Sequence, residues 1–315
     1  MKKASIRSTG AYLPDRIMSN ADLEKMVDTS DAKIQQLTGI KQRHIAGEKE
    51  LTSDMAIAAA RMALENAGLT PAGIDAIILA TTTPDDTFPA TAVKVQAALG
   101  MEHGFAFDVQ AVCSGFIYAL SMANNLIATG MAKRVLVIGA EKMSSIIDWT
   151  DRNTCILFGD GAGAVILEET DDPKSGFLTT HLHSDGRFRE QLYTSGGVGS
   201  TKTAGTIQMQ GREVFKHAVE ALASVVDEAL AAARLQPEDI DLLVPHQANV
   251  RIIESTAKKL NMPMEKVVVT LDKHGNTSAA SIPLALHSAV SAGRVKRGDL
   301  LLLEAMGGGF TWGSI

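Results

Sequence analysis

Ala63-Leu64-Glu65-Asn66-Ala67-Gly68-Leu69-Thr70-Pro71 returns 166 positions later as Ala229-Leu230-Ala231-Ala232-Ala233-Arg234-Leu235-Gln236-Pro237. Both continue into Ile-Asp and an apolar run: Ile74-Asp75 before Ala76-Ile77-Ile78-Leu79, and Ile240-Asp241 before Leu242-Leu243-Val244. The same offset carries Tyr118-Ala119-Leu120 onto Leu284-Ala285-Leu286, and Val135-Leu136-Val137 onto Leu301-Leu302-Leu303. Segments that recur at one spacing mark a duplicated unit, here a helix, a proline turn and a short buried strand.

Working outward, the periodicity predicts helices over 53–67, 114–129, 212–233, 250–260 and 279–291, and strands over 74–81, 134–140, 240–245 and 299–305. In the long third helix Val214, Phe215, Ala218, Val219, Leu222, Val225, Val226, Ala229 and Leu230 recur at three-to-four spacing, one broad apolar face. The strands are continuous apolar runs, as expected when helices cover both faces of a sheet. The expectation is an α/β protein of two pseudo-equivalent halves, residues 1–170 and 171–315. The boundary falls at or slightly before the polar, glycine-rich stretch Ser195–Gly205.

The chain has 315 residues, is 45% hydrophobic and 21% charged, and carries 30 basic against 36 acidic side chains, a formal charge of −6. That composition supports a core and excludes general disorder. The acidic balance argues against nucleic acid as a partner. No run approaches the ~20 apolar residues of a membrane helix, and Met1-Lys2-Lys3-Ala4-Ser5-Ile6-Arg7 does not read as a secretory signal. Two cysteines make no disulfide framework, so a reducing, cytoplasmic setting is expected.

Cys113, in Asp108-Val109-Gln110-Ala111-Val112-Cys113-Ser114-Gly115, stands where a strand gives way to a helix. A helix N-terminus favours thiolate and lowers a thiol pKa, so Cys113 is a candidate nucleophile. Cys155, in an apolar run, reads as structural. His246 follows a strand directly, and active groups in α/β folds gather at the carboxyl ends of strands. The 166-residue offset places Asn276 near the junction equivalent to that of Cys113, so the two are expected across one shared site. His181 and His183 read as a strand surface rather than a metal site. Gly159–Gly163 lacks a phosphate-loop pattern and is read as a tight turn with close packing, while Gly307-Gly308-Gly309 can turn a backbone N–H towards an oxyanion.

Taken together, Thr38-Gly39-Ile40, Cys113-Ser114-Gly115-Phe116, Phe158–Gly163, Pro245-His246-Gln247-Ala248-Asn249, His274-Gly275-Asn276-Thr277-Ser278 and Gly307-Gly308-Gly309-Phe310-Thr311-Trp312-Gly313 resemble β-ketoacyl-acyl-carrier-protein synthase III over essentially the whole chain. The resemblance implies a thiolase-like fold of five layers, α-β-α-β-α, in a homodimer. It implies decarboxylative condensation of an acyl-CoA primer with malonyl-acyl-carrier protein, without metal or other cofactor. In that reading Cys113, His246 and Asn276 are catalytic, and the N–H groups of Cys113 and Gly308 form the oxyanion hole. An acyl pocket would be lined by Phe88 (reaching across the dimer), Leu192, Met209, Phe158 and Met306. Arg152 and Lys33 would meet CoA, and Arg251, Lys216, Lys258, Lys259 and Arg212 would receive the acidic carrier. Lys33 and Leu37 depart from the family's Trp and Arg, which removes a stacking contact worth about 1 kcal/mol and leaves open a primer borne on carrier protein. A catalytically inactive partner subunit on the same fold is the other reading, against which the presence of all three catalytic side chains argues.

Overall fold

The computed structural model describes residues 2–315. Strands β1 (Lys3–Tyr12), β2 (Ala76–Ala80), β3 (Phe105–Val109), β4 (Arg134–Lys142) and β5 (Asp160–Thr170) form one sheet in the order β1-β5-β4-β2-β3. Strands β6 (His181–Ser184), β7 (Leu242–Pro245), β8 (Leu301–Gly307) and β9 (Thr311–Ser314) form a second, in the order β7-β8-β9-β6. The main helices are α1 (Asp31–Thr38), α2 (Thr52–Ala67), α3 (Thr91–Leu99), α4 (Gly115–Ala128), α5 (Gly211–Ala233), α6 (Val250–Lys259) and α7 (Ser281–Ser291). All the helices and strands expected from periodicity are present, with ends shifted by at most two residues.

The internal repeat extends to hydrogen bonds. Ala76 pairs with Val135 in parallel register between β2 and β4, and Leu242 pairs with Leu301, each 166 residues on, between β7 and β8. Asp75 accepts the N–H groups of Lys133 and Arg134 at 2.7 and 2.9 Å, and Asp241 accepts that of Leu300 at 2.8 Å. Gly68 ends α2 at φ 65°, and Arg234 ends α5 at φ 58°. Each carboxylate ties the entry of its own strand to the start of the neighbouring one, so the register of both sheets is set locally.

Side chains alternate between two cores along the same strand. Ile77 and Leu79 pack with Ala59, Ala60 and Ala63 of α2, whereas Ile78 and Ala80 face Phe116 and Leu120 of α4. In the second sheet Leu243 packs with Val226 and Leu230 of α5, and Leu242 and Val244 face Ile282 and Leu286 of α7. The result is α-β-α-β-α, with α4 and α7 sandwiched between the sheets. Fully burying a Leu or Ile contributes ~1.5–3 kcal/mol, so both faces of these strands must stay apolar.

The glycine cluster shows the close packing read from the sequence but not the turn. Gly161 and Gly163 lie inside β5 rather than in a turn. A Cβ on Gly163 would stand 2.7 Å from Pro283 and from the Leu284 backbone nitrogen at the start of α7. The glycines admit the central helix onto the sheet, a demand set by the tertiary approach and not by chain reversal. Gly163→Ala is therefore expected to lose about 1–3 kcal/mol by overpacking, read as a lower urea midpoint; an unchanged midpoint would refute the close approach.

Candidate active site

The site forms where the central helices begin. From β3 the chain enters a single 3-10 turn, Val112–Ser114, that leads into α4. Its counterpart before α7 is the turn Ser278–Ala280. Val112 and Ser278, 166 apart, hold left-handed φ values of 49° and 50°. For residues with a Cβ this conformation is strained, and it is maintained by the packing of the two turns against each other. Ala279 shows that packing: its Cβ is 3.5 Å from where a side chain on Gly115 would begin.

Cys113 is buried in the first turn, 6% exposed. Burial pushes its thiol pKa up to about 12, with the nearby Ser278 hydroxyl acting in the opposite direction. This corrects the expectation of a lowered pKa: the helix N-terminus is there, but desolvation of the thiolate outweighs it. Cys155 is fully buried among Ile156 and Phe158, as a structural thiol should be.

His246 leaves β7 and continues its pairing, its N–H donating to Glu304 O at 2.8 Å. The ring is buried, its Nδ1 has no hydrogen-bond partner among the described residues, and burial alone lowers its pKa to about 3. It is therefore a neutral imidazole at physiological pH, able to donate a hydrogen bond but a weak base. Gln247 fixes the loop after it by four bonds: its NH2 donates to Pro245 O and Val268 O, and its oxygen accepts from the N–H groups of Thr270 and Leu271.

Asn276 is held from both sides. Its N–H donates to Leu157 O at 2.9 Å and its carbonyl accepts from Gly159 N at 3.0 Å. Its side-chain oxygen accepts from Ser278 N at 2.9 Å, which fixes the amide so that the NH2 is the outward donor. The glycine loop closes the site: a Cβ on Gly307 would lie 2.6 Å from Cys113 N, and one on Gly308 would lie 3.0 Å from Leu192 O.

The remaining sequence candidates separate into groups. Leu192 pairs with Met209 between the short strands Leu192–Thr194 and Ile207–Met209, and packs in one cluster with Met306. Phe158 lies in an adjoining cluster that Leu192 also touches. Phe88 is not with them; it stands 84% exposed on the loop before α3. Arg152 donates to Asp28 Oδ2 at 2.8 Å, and Lys33 is exposed on α1. Asn249 ties α1 to the His246 loop by donating to Leu37 O at 2.8 Å. At the starts of α5 and α6, Arg212, Lys216 and Arg251 are exposed, and the Arg251 guanidinium lies 5.3 Å from the ring centre of Phe215. Lys258 and Lys259 sit at the far end of α6, where Lys259 pairs with Asp227 at 2.9 Å. His181 and His183 are on β6, and both meet Glu228.

Sequence reasoning missed two buried carboxylates, Glu141 at the end of β4 and Glu304 in β8. Each interrupts an otherwise apolar strand, and that was the available signal. Burial raises the Glu304 pKa to about 8. An acid whose folded pKa lies above its unfolded value near 4.5 holds its proton longer in the folded state. Its contribution is therefore present below pH 4.5 and is lost as pH rises through 8. Glu304→Gln is expected to flatten the fall in urea midpoint between pH 5 and 8; a slope identical to that of the wild type would refute a protonated Glu304.

The models of 3-oxoacyl-[acyl-carrier-protein] synthase III match residues 107–186, and those of its C-terminal part match residues 230–315. The β-ketoacyl-[acyl-carrier-protein] synthase III of Agrobacterium fabrum is 60% identical, covering 100% of this chain and 99% of its own length. That of Rhodospirillum centenum is 61% identical, covering 99% and 98%. The 3-oxoacyl-[acyl-carrier-protein] synthase III structure from Aquifex aeolicus superposes with a TM-score of 0.95 at 53% identity, over 99% of this chain and 98% of that one. The priming β-ketosynthase of the R1128 polyketide pathway gives 0.94 at 35%, over 99% and 95%.

Proposed function

The chain belongs to the 3-oxoacyl-[acyl-carrier-protein] synthase III family, the condensing enzymes that initiate fatty-acid synthesis, and from that premise we propose how its own residues carry out the reaction. Cys113 is the nucleophile. Its thiolate attacks the thioester carbonyl of an acyl-CoA primer, CoA leaves as the thiolate and takes up a proton from water, and the acyl group remains on sulfur. Malonyl-acyl-carrier protein then takes the place of CoA.

Loss of carbon dioxide leaves an electron pair that spreads onto the malonyl thioester oxygen. The imidazole N–H of His246 and the NH2 of Asn276 donate to that oxygen as its charge grows. A neutral imidazole suits this step, because it gives a hydrogen bond without surrendering its proton. The resulting carbanion attacks the acyl-cysteine carbonyl. The N–H groups of Cys113 and Gly308 hold the tetrahedral oxyanion, and its collapse frees 3-ketoacyl-carrier protein and the Cys113 thiolate. The observation that supports this assignment is the bond from Ser278 N–H to the Asn276 side-chain oxygen, which leaves the NH2 as the amide's donor in a turn packed against that of Cys113.

Several finer assignments belong to the same proposal. Leu192, Met209, Phe158 and Met306 line the acyl pocket, and Phe88, exposed here, closes the pocket of a second copy. The half-buried edge strand β3 supports a homodimer, since an unpaired sheet edge is usually covered. Arg152 and Lys33 receive CoA at the α1 mouth. Arg212, Lys216 and Arg251 make the nearer part of the carrier-docking surface, with Lys258 and Lys259 extending it along α6. The chain divides into halves 1–170 and 171–315, the first sheet drawing its strands from the former and the second from the latter. Among the described residues no helix is long and apolar enough to cross a membrane, and two free thiols support work in the cytoplasm.

The test is the intact mass of the protein after incubation with a panel of acyl-CoAs. An acyl adduct that malonyl-acyl-carrier protein discharges supports the two-stage reading and identifies the primer. Should no CoA react, the same acyl groups offered on carrier protein decide whether Lys33 and Leu37 have changed the primer's carrier. No adduct from either source would overturn the assignment.

A further inference from the structure

Arg43 is the largest fully buried side chain among the described residues, and no step of the condensation uses it. It lies on the short strand Gln42–His44. Its Nη1 donates to Asn20 Oδ1 at 2.9 Å and to Met18 O at 3.4 Å, and its Nη2 donates to Ile156 O at 2.8 Å. All three acceptors are neutral, and Nε has no hydrogen-bond partner among the described residues. Burial lowers its pKa only to about 10, so the guanidinium is charged at pH 7. A buried cation that meets no carboxylate is costly, and an apolar side chain would fill the same space at less cost. Stability alone does not account for an arginine at this position.

What its fork holds is the backbone partner of Asn276. Ile156 precedes Leu157, whose carbonyl accepts the Asn276 N–H at 2.9 Å, and Gly159 N–H returns to the Asn276 carbonyl at 3.0 Å. Phe158 and Asn276 thus pair as a short parallel bridge. The Arg43 stem lies against both sides of that bridge: a Cβ on Gly159 would stand 2.9 Å from the Arg43 Cβ, and one on Gly275 would stand 3.1 Å from it. The strand that carries Arg43 is moored to the chain leading into Asn276, because Lys41 N–H donates to Asp272 O at 3.0 Å. On the far side Asn20 Nδ2 donates to Asp31 Oδ1 and to Ile40 O, both at 2.8 Å. Those two bonds fix the Asn20 amide with its oxygen towards Arg43.

We propose that Arg43 is a positioning residue for the enolate donor Asn276, its fork holding Asn20 and the Ile156 carbonyl together and so setting where the 157–159 segment presents Asn276. Arginine suits the task because its N–H groups leave one rigid plane in fixed directions. A lysine keeps the charge but is a single flexible donor, and it cannot hold both acceptors at the spacing of the fork. Moving the bridge by about 1 Å would carry the Asn276 NH2 away from the developing oxyanion, and misplacement on that scale costs up to about 100-fold in rate. The bonds of Arg43 go to Met18, Asn20 and Ile156, none of them in the Cys113 turn, so acylation does not depend on it.

The inference rests on Asn276 being a donor to the enolate. It is tested by measuring the two half-reactions of Arg43→Lys separately: formation of the acyl adduct with acetyl-CoA, and discharge of the preformed adduct by malonyl-acyl-carrier protein. Each rate is taken per acylated Cys113, so that unfolded chain does not enter. Arg43→Lys is expected to acylate at close to the wild-type rate and to discharge its adduct about ten-fold or more slowly. Added to Asn276→Ala, it costs little further, because the group it positions is already gone. Asn20→Ala, which removes one acceptor and leaves Arg43 in place, shows the same non-additivity with Asn276→Ala and carries the test should the lysine variant not fold. A loss shared equally by the two half-reactions, full multiplication with the loss of Asn276→Ala, or wild-type discharge by folded Arg43→Lys would each overturn the positioning role alone. Wild-type discharge by Asn276→Ala itself would overturn the assignment of Asn276, and the role of Arg43 with it.

Discussion

Cys113→Ala is expected to fold and to show no acyl adduct with any primer, with overall condensation down by about 10⁴-fold or more, the scale seen when a covalent nucleophile is removed. The substitution deletes one sulfur from a buried turn and should cost only about 1 kcal/mol of stability. The loss of activity is therefore chemical rather than structural. It is read by intact mass and by product formation, with the urea midpoint as the folding control. The next thiol in the chain, Cys155, is fully buried in a separate cluster behind Phe158. An adduct that persisted in the alanine variant would place the nucleophile elsewhere and sink the proposed chemistry.

His246→Ala and Asn276→Ala should split the reaction in two. Neither side chain is needed for Cys113 to take the primer, so the acyl adduct should still form at close to the normal rate. Each removes one donor from the developing enolate, and loss of one such donor costs about 10²–10³-fold. Decarboxylation of malonyl-acyl-carrier protein and discharge of the adduct should fall by that factor in each variant. Because the two donors act on one oxygen, the double variant should lose less than the product of the single losses. Acylation lost in step with decarboxylation would argue that His246 serves as the base for Cys113. That outcome would also contradict the low basicity that burial imposes on its ring.

Much of the architecture was legible because it depends on patterns short enough to see. The 166-residue offset survives as shared strand register, shared Asp75 and Asp241 contacts and shared left-handed residues at Val112 and Ser278. Continuous apolar strands pointed to sheets covered on both faces, and both faces are buried. Cys113, His246 and Asn276 stood out because each is a reactive or polar side chain at the end of a strand or the start of a helix. Gly161 and Gly163 were misread because glycine carries the same signature in a turn and in a strand that another backbone approaches. Only the position of α7 against β5 separates the two.

Glu141 and Glu304 were passed over for a related reason. A single carboxylate in an apolar run looks like an exposed strand end until the elements around it are in place. The duplicated α/β units, the order of strands and helices and the choice of Cys113, His246 and Asn276 as candidates were open to the sequence alone, because these follow from local periodicity and from residue chemistry. Tertiary structure decided the protonation of those side chains. The thiol is raised and the imidazole lowered by burial, and burial depends on what packs above a residue from more than a hundred positions away. It also decided which turns meet: the strained turns at Val112 and Ser278, one from each half, are pressed together in the middle layer.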